Sequence, residues 1–285
     1  MIRDSYVAKA ISTKYWMPFE DYLKIIADSL EGKIDDGDII AVSEKALSTA
    51  KGRIVNESEV QPGIMARLLA NYWMRIVWGI FLGRVCGLKE KNIQRLRAYP
   101  AKEGSAHKQV ALWYGGVSES LLWGSEGGID ASNLPYSYVS LPLEEPYLVA
   151  EEIRSYLEKK LGKKVVVIIV DTDKTYSLGT FHFTHRSNVL KGIYTLGFLA
   201  YVAGRVFRMK RRSTPLAIAG SEINVDVALD LAEATHKCRG SGAGRTVWDM
   251  AEKFGVDATK VSWGMLRSLR HKPIVIFKHD KISRR

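Results

Sequence analysis

The uninterrupted run V-V-V-I-I-V at 165–170 constrains this chain more than any other feature. Six apolar β-branched residues with no polar alternation predict a strand covered on both faces, since a half-exposed strand would alternate. The segment ahead of it, Pro146 to Leu161, reads as the clearest helix. Glu144 and Glu145 lie at its start and Pro146 suits its first turn. Leu148, Ile153, Leu157 and Leu161 recur along one side, Lys159 and Lys160 sit at the end, and Gly162 can terminate it. The strand is expected to stop at Asp171-Thr172-Asp173.

Similar reasoning places a helix at Tyr22–Leu30, a short buried strand at Asp38–Val42, a strand at Leu216–Ala219, a helix at Ile223–Lys237 and a closing strand at Ile274–Phe277. A helix over Thr246–Phe254 follows the glycine-rich run. Val110–Tyr114 and Ser118–Trp123, flanking Gly115-Gly116, read as the two arms of a hairpin. Pro62-Gly63 open a long apolar helix to Gly87, and Lys89–Arg97 is a basic helical stretch. Arg67, Asn71 and Arg75 mark one polar side of the long helix, which suits a core or a subunit contact rather than a membrane span. Gly192–Gly204 is too short to span. The class is therefore mixed α/β, of the α+β kind, with one fold over 1–285 or two interlocked lobes, 1–104 and 105–285.

With 46% hydrophobic and 26% charged residues, the chain can bury a core and is not globally disordered. Cys86 and Cys238 have no CxxC companion and fit reduced thiols in a cytoplasmic protein. No secretory leader is read at the start. The net charge of +11 favours anionic partners, but with no recognisable nucleic-acid module DNA or RNA is a minority reading. The basic cluster Arg205, Arg208, Lys210, Arg211, Arg212 reads as a solvated helix end.

Three places can carry chemistry. Asp171-Thr172-Asp173, at the end of a buried strand, could hold a hard divalent cation against phosphate, or could simply end the strand in a turn. Asp130 lies in a glycine-rich loop with Asn133, which is also compatible with an Asx turn. The run Arg239 to Thr246 resembles a phosphate loop only at its G-R-T end, because Arg245 replaces lysine and a helix precedes it. Its glycine amides at Gly240, Gly242 and Gly244, with two arginines, could still cradle phosphate, or form a mobile surface loop. His182 and His185 in H-F-T-H are too isolated for a zinc site.

Three segments in order resemble the coenzyme F-420-0:γ-glutamyl ligase family: G-D-I-I-A-V-S-E-K-A-L-S-T-A-K-G-R-I from Gly37, E-G-G-I-D-A-S-N-L-P from Glu126, and V-V-I-I-V-D-T from Val166. The helix that follows A-G-S-E-I-N is also similar in place and character. The resemblance implies a GTP-dependent ligase that activates a carboxylate as an acyl phosphate and joins it to L-glutamate. The acceptor would be phosphorylated, and the assembly an intertwined homodimer. It implies Mg²⁺ or Mn²⁺ held by Asp130, Asp171 and Thr172, with Glu44, Lys45 and Asn133 at the nucleotide; the phosphate cradle of Gly240, Gly242, Gly244 and Arg245 is read from the glycine run itself. The chain departs from the family pattern at Thr49, where lysine is usual, at Lys174-Thr175, where D-T-F-G-R loses its glycine and arginine, and in a late loop without an acid.

Overall fold

The computed structural model describes residues 6–240, 242, 244 and 247–279. Helix at 45% and strand at 24% make it an α+β protein. The strands among the described residues are β1 (Tyr6–Lys14), β2 (Ile39–Ser43), β3 (Ile54–Asn56), β4 (Tyr138–Ser140), β5 (Val166–Leu178), β6 (Phe181–Thr184), β7 (Ile193–Thr195), β8 (Lys210–Ala219) and β9 (Arg270–His279). Seven form one sheet in the order β1-β9-β2-β5-β6-β7, with β8 pairing to β5, while β3 and β4 form a separate ribbon.

The apolar run at 165–170 does what its composition demands. It supplies the first half of β5, between parallel β2 and antiparallel β8. Alternate side chains enter different cores. Val167 and Ile169, with Ile40, Val42, Ile274 and Ile276, meet residues of the helices Tyr22–Leu30, Glu44–Ala50 and Pro146–Leu161. Ile168 and Val170, with Ile39, Ala41, Val275 and Phe277, meet Ala228, Leu231 and Ala232 of the helix Val225–Arg239. Each such buried aliphatic side chain contributes about 1.5–3 kcal/mol, so β5 is the shared wall of two cores.

Three expectations need correction. β5 does not stop at Asp171 but runs on to Leu178, and its register with β8 shifts between Asp171 and Lys174. The shift leaves Thr172 and Asp173 without a register partner on β8, Asp173 buried and Thr172 exposed. Residues 110–123 are not a hairpin. A helix spans Ala101–Tyr114 and a second spans Val117–Ser120. Ala106, Val110 and Ala111 face inward at helical spacing, and Gly115-Gly116 separates two helices rather than two strands, Gly116 with φ 88°. The basic cluster is not simply a solvated helix end. Arg212 is buried on β8, pairing with Asp226 at 2.7 Å and Asp230 at 3.0 Å, and Arg205 donates to the carbonyls of Cys86 and Gly87.

The long helix exists as three continuous segments, Ile64–Leu68, Leu69–Leu82 and Gly83–Val85, the middle one wound with i→i+5 bonds. Met74 and Trp78 bury against Leu96, Phe198 and Tyr201. Ile64, Leu68, Tyr72, Ile76 and Phe81 are exposed. Among the described residues no helix is long and apolar enough to cross a membrane, and both cysteines are free thiols.

Candidate functional site

Parallel pairing builds the site. In the β2–β5 register Ser43 lies opposite Val170, the last pair of that ladder, so Glu44, just past the carboxyl end of β2, and Asp171, still within β5, lie side by side where the two parallel strands part, a usual place for ligand clefts. Ser43 precedes the helix Glu44–Ala50, whose second residue is Lys45. The loop Gly124–Asn133 reaches the same edge because Asp130 exchanges backbone hydrogen bonds with Ser140 of β4, at 3.2 and 3.0 Å.

A cavity of about 370 Å³ opens there. Its walls include Glu44, Lys45, Asp130, Asn133, Asp171, Thr172, Gly240, Gly242 and Gly244. Every described residue expected at the metal or the nucleotide thus lines one cleft, although they come from four distant segments. Arg245 lies outside the described residues. A second cavity of about 490 Å³, walled by Tyr99, Trp123, Tyr176, Tyr201 and His185 among others, shares Asp130, Thr172 and Asp173 with the first.

Asp130, Glu44 and Asp171 each face a lysine or an arginine. Lys45 Nζ lies 2.7 Å from Asp130 Oδ2 and donates to Ser132 Oγ at 3.1 Å. Asp130 also accepts from the Ser132 amide at 2.7 Å, so the Asx turn expected of this loop is present alongside the ion pair. Burial pushes the Lys45 ammonium below its usual range, and Asp130, Asp171 and Asp173 oppose that. Asn133, at φ 54°, donates from Nδ2 to the Gly244 carbonyl at 3.0 Å and accepts from the Tyr15 hydroxyl through its own carbonyl. Asn133 therefore ties the glycine run to the cleft, and an added Cβ on Gly242 would lie 2.7 Å from its Oδ1.

The residue that sequence reading missed is Arg186, just after β6 and 1% exposed at its side chain. Its Nη2 donates to Glu44 Oε1 at 2.5 Å, its Nε sits 3.1 Å from Asp171 Oδ2, and its Nη1 donates to the Gly127 carbonyl. Glu44 Oε1 also accepts from the Leu143 amide at 2.9 Å. Behind Arg186, His185 Nε2 lies 3.2 Å from Asp173 Oδ2, both side chains buried. Burial, then the charges of Asp173 and Glu44, drive the Asp171 carboxyl well above the usual range. Burial likewise raises Glu44 despite Arg186. For Asp173 burial is outweighed by His185 and Arg186, and its carboxyl is lowered. Arg239 lines the cleft and is held by the Lys272 carbonyl at 3.1 Å, and burial pushes its guanidinium down to about 10 against the pull of Asp171. Arg239 is half-buried at the cleft wall, and a cation so placed gains from an incoming anion.

Whether a divalent ion fits is decided by these contacts. Mg²⁺ and Mn²⁺ need several oxygen donors at about 2.1 Å. Asp130 and Asp171 are oxygen donors on one cleft, but Lys45 and Arg186 already stand on them, and Thr172 is exposed. Among the described residues no group of three or more His, Cys, Asp or Glu side chains is arranged to hold a metal. In this arrangement the set does not fit an ion held by the protein alone. At the departures from the family pattern, Thr49 lines the cleft with its hydroxyl bonded to the Lys45 carbonyl at 2.9 Å, and Lys174 pairs with Glu233 at 2.8 Å.

Comparison with known proteins finds the same family, over a stretch that ends before the A-G-S-E-I-N segment at 219–224. The family described as F420-0:gamma-glutamyl ligase matches residues 10–193. An uncharacterised protein of Methanocaldococcus jannaschii is 32% identical over 282 residues, covering 95% of this chain and 96% of the relative. Two proteins named coenzyme F420:L-glutamate ligase, from Methanopyrus kandleri and Archaeoglobus fulgidus, are 27% and 29% identical over 158 and 154 residues. In both, the match spans 54% of this chain and 54% of the ligase, so it covers about half of each.

Proposed function

The chain belongs to the F420-0:gamma-glutamyl ligase family, and on that premise we propose that it is a GTP-dependent ligase adding L-glutamate to a phosphorylated acceptor. The observation that carries this reading is the meeting of Glu44, Lys45, Asp130, Asn133, Asp171, Thr172 and the glycines Gly240, Gly242 and Gly244 around one cavity. In the proposed reaction an acceptor carboxylate oxygen attacks the γ-phosphorus and GDP leaves, giving an acyl phosphate. The glutamate α-amine then attacks the acyl carbon, phosphate departs, and the amine proton is lost to give the amide.

The chain's own part is binding and alignment. Lys45 and Arg239 supply positive charge toward phosphate oxygens, and Gly240 allows close backbone approach, with nothing within 4 Å of a built Cβ. The second cavity, meeting the first at Asp130, Thr172 and Asp173, is the natural seat of the acceptor, so that its carboxylate and the terminal phosphate converge at the shared wall. Production of GDP that requires both L-glutamate and an F-420-0-like acceptor is the expected result. Turnover that ignores glutamate would sink the ligase reading.

A second reading is favoured by the closure of the cleft carboxylates on Lys45 and Arg186: a relative that binds a nucleotide or phosphorylated metabolite without turning it over. Thermal stabilisation by GTP with no GDP release selects it. We also propose a homodimer through the exposed side of the long helix, where Ile64, Leu68 and Tyr72 lie uncovered.

A further inference from the structure

We propose that Arg186 is the resident cation of this cleft, standing where a divalent ion would have to sit, so that the protein alone carries no Mg²⁺ or Mn²⁺ site and phosphate is held by direct contact with protein cations. The inference concerns the cleft just described and rests on the preceding reading only for the ligand's being a phosphoanion.

Position is the first ground. The guanidinium bridges Glu44 at the end of β2 and Asp171 at the end of the apolar half of β5, the two carboxylates that the parallel register brings together. An ion bound to Asp171 Oδ2 at about 2.1 Å would lie within a few ångströms of Arg186 Nε, which is 3.1 Å from that same oxygen. Two cations cannot share such a space in a buried setting, because the low local dielectric magnifies their repulsion. On the other carboxylates, Lys45 occupies Asp130 and His185 faces Asp173.

Confinement is the second ground. Arg186 is closely confined. Its side chain is 1% exposed, and its Nη1 is tied to the Gly127 carbonyl. The neighbouring loop has a glycine where any side chain would collide: a Cβ on Gly128 would stand 1.3 Å from Nη1, and φ at that residue is +100°. The loop is shaped around the guanidinium.

The third ground is what remains for a ligand. The N–H groups of Arg186 face Glu44, Asp171 and Gly127, so it serves as a positioning residue for three segments of the cleft rather than as a phosphate contact. Lys45 and Arg239 line the cavity itself. Incoming phosphate competes with Asp130 for Lys45 and meets Arg239, without needing a metal bridge. A divalent ion reaching this cleft would arrive already bound to its nucleotide.

The test uses the full chain and two probes. Free Mn²⁺, followed by its electron paramagnetic resonance signal, should remain unbound by the wild-type protein at millimolar concentration in the absence of nucleotide. Inorganic tripolyphosphate, followed by titration calorimetry, should bind in EDTA within a factor of about three of its affinity in Mg²⁺. Stoichiometric uptake of Mn²⁺ by the wild-type protein overturns the proposal, as does a loss of tripolyphosphate affinity beyond about tenfold in EDTA. Failure of tripolyphosphate to bind in either buffer overturns direct phosphate contact and the nucleotide reading together, and the Mn²⁺ titration still decides the resident cation. Arg186→Met, which keeps Glu44, Asp171 and Asp173, should gain Mn²⁺ binding. A folded variant that takes up none would show that the guanidinium is not in the cation's place.

Discussion

Replacing Arg186 by methionine gives the sharpest test of how the cleft is held together. Methionine fills much of the stem's volume, so packing changes little and the loss is mainly electrostatic. Glu44 and Asp171 then lose their guanidinium partner while staying buried. Breaking one side of a buried ion pair costs about 3–5 kcal/mol, against a total stability of roughly 5–15 kcal/mol. At about 2–4 °C per kcal/mol for a chain of this order of size, the melting temperature should fall by about 6–20 °C.

The deficit should also depend on pH, with a definite sign. Burial already raises both carboxyls, and without Arg186 they rise further. Above the unfolded carboxyl pKa of about 4, the folded variant then binds more protons than the unfolded chain, so its stability falls as pH rises. The gap from wild type is therefore widest near neutrality and narrows towards pH of about 4.5. Urea denaturation of both proteins at several pH values measures it. Adding Glu44→Gln to the variant removes one stranded charge and should recover at least about 1 kcal/mol. A deficit below about 1 kcal/mol, or one that stays constant with pH, would refute the view that Arg186 neutralises these groups.

Other perturbations probe separate parts of the molecule. Asp130→Asn releases Lys45 from its carboxylate at 2.7 Å, so tripolyphosphate affinity should rise severalfold in calorimetry. A fall would point to a metal bridged through Asp130. Burial, with help from Arg239, pushes the His271 imidazole down to about 3. The unfolded chain therefore takes up a proton below about 6.5 that the folded one does not, and stability falls with acidity by up to about 1.4 kcal/mol per pH unit until that lower value is reached. His271→Gln should flatten this acid limb in a denaturation series. Leu68→Glu places a charge among exposed apolar side chains of the long helix. It should leave the monomer folded and shift light-scattering mass from dimer to monomer, and an unchanged mass would remove that face as the subunit contact.

How much of this was readable in the residues follows from how local each signal is. The strand at 165–170 and the helix before it were legible because their patterns span a few consecutive positions. Asp130, Asp171 and the glycine run could be picked out because short motifs sit beside strand ends and turns. The continuation of β5 was hidden, since Asp171 to Thr175 mixes polar residues and its pairing with β6 and β8 supplies what local preference does not. β1 was overlooked for the same reason. Its YVAKAISTK sequence has only weak strand preference and is held by pairing with β9. Adjacent glycines at 115 and 116 resemble a hairpin turn, yet helix formers from Ala101 onwards prevailed. Arg186 carries no local signal. What marks it is its partner Glu44, 142 residues away.

That separation has a consequence for how the protein acquires its cleft. The bond from Arg186 to Glu44 closes a loop of roughly half the chain, and the bond to Gly127 closes another across 59 residues. The β2–β5 pairing closes a comparable span, from Ile39 to Val166, and once that cost is met Arg186 needs only the short stretch after Asp171 to reach Glu44, so its bonds follow the pairing of the strands. During refolding the two apolar cores can assemble around β2, β5 and their helices while the mouth of the cleft stays open and chemically incompetent. Recovery of helical dichroism should therefore run ahead of recovery of anion binding, and the interval between them times the arrival of one guanidinium.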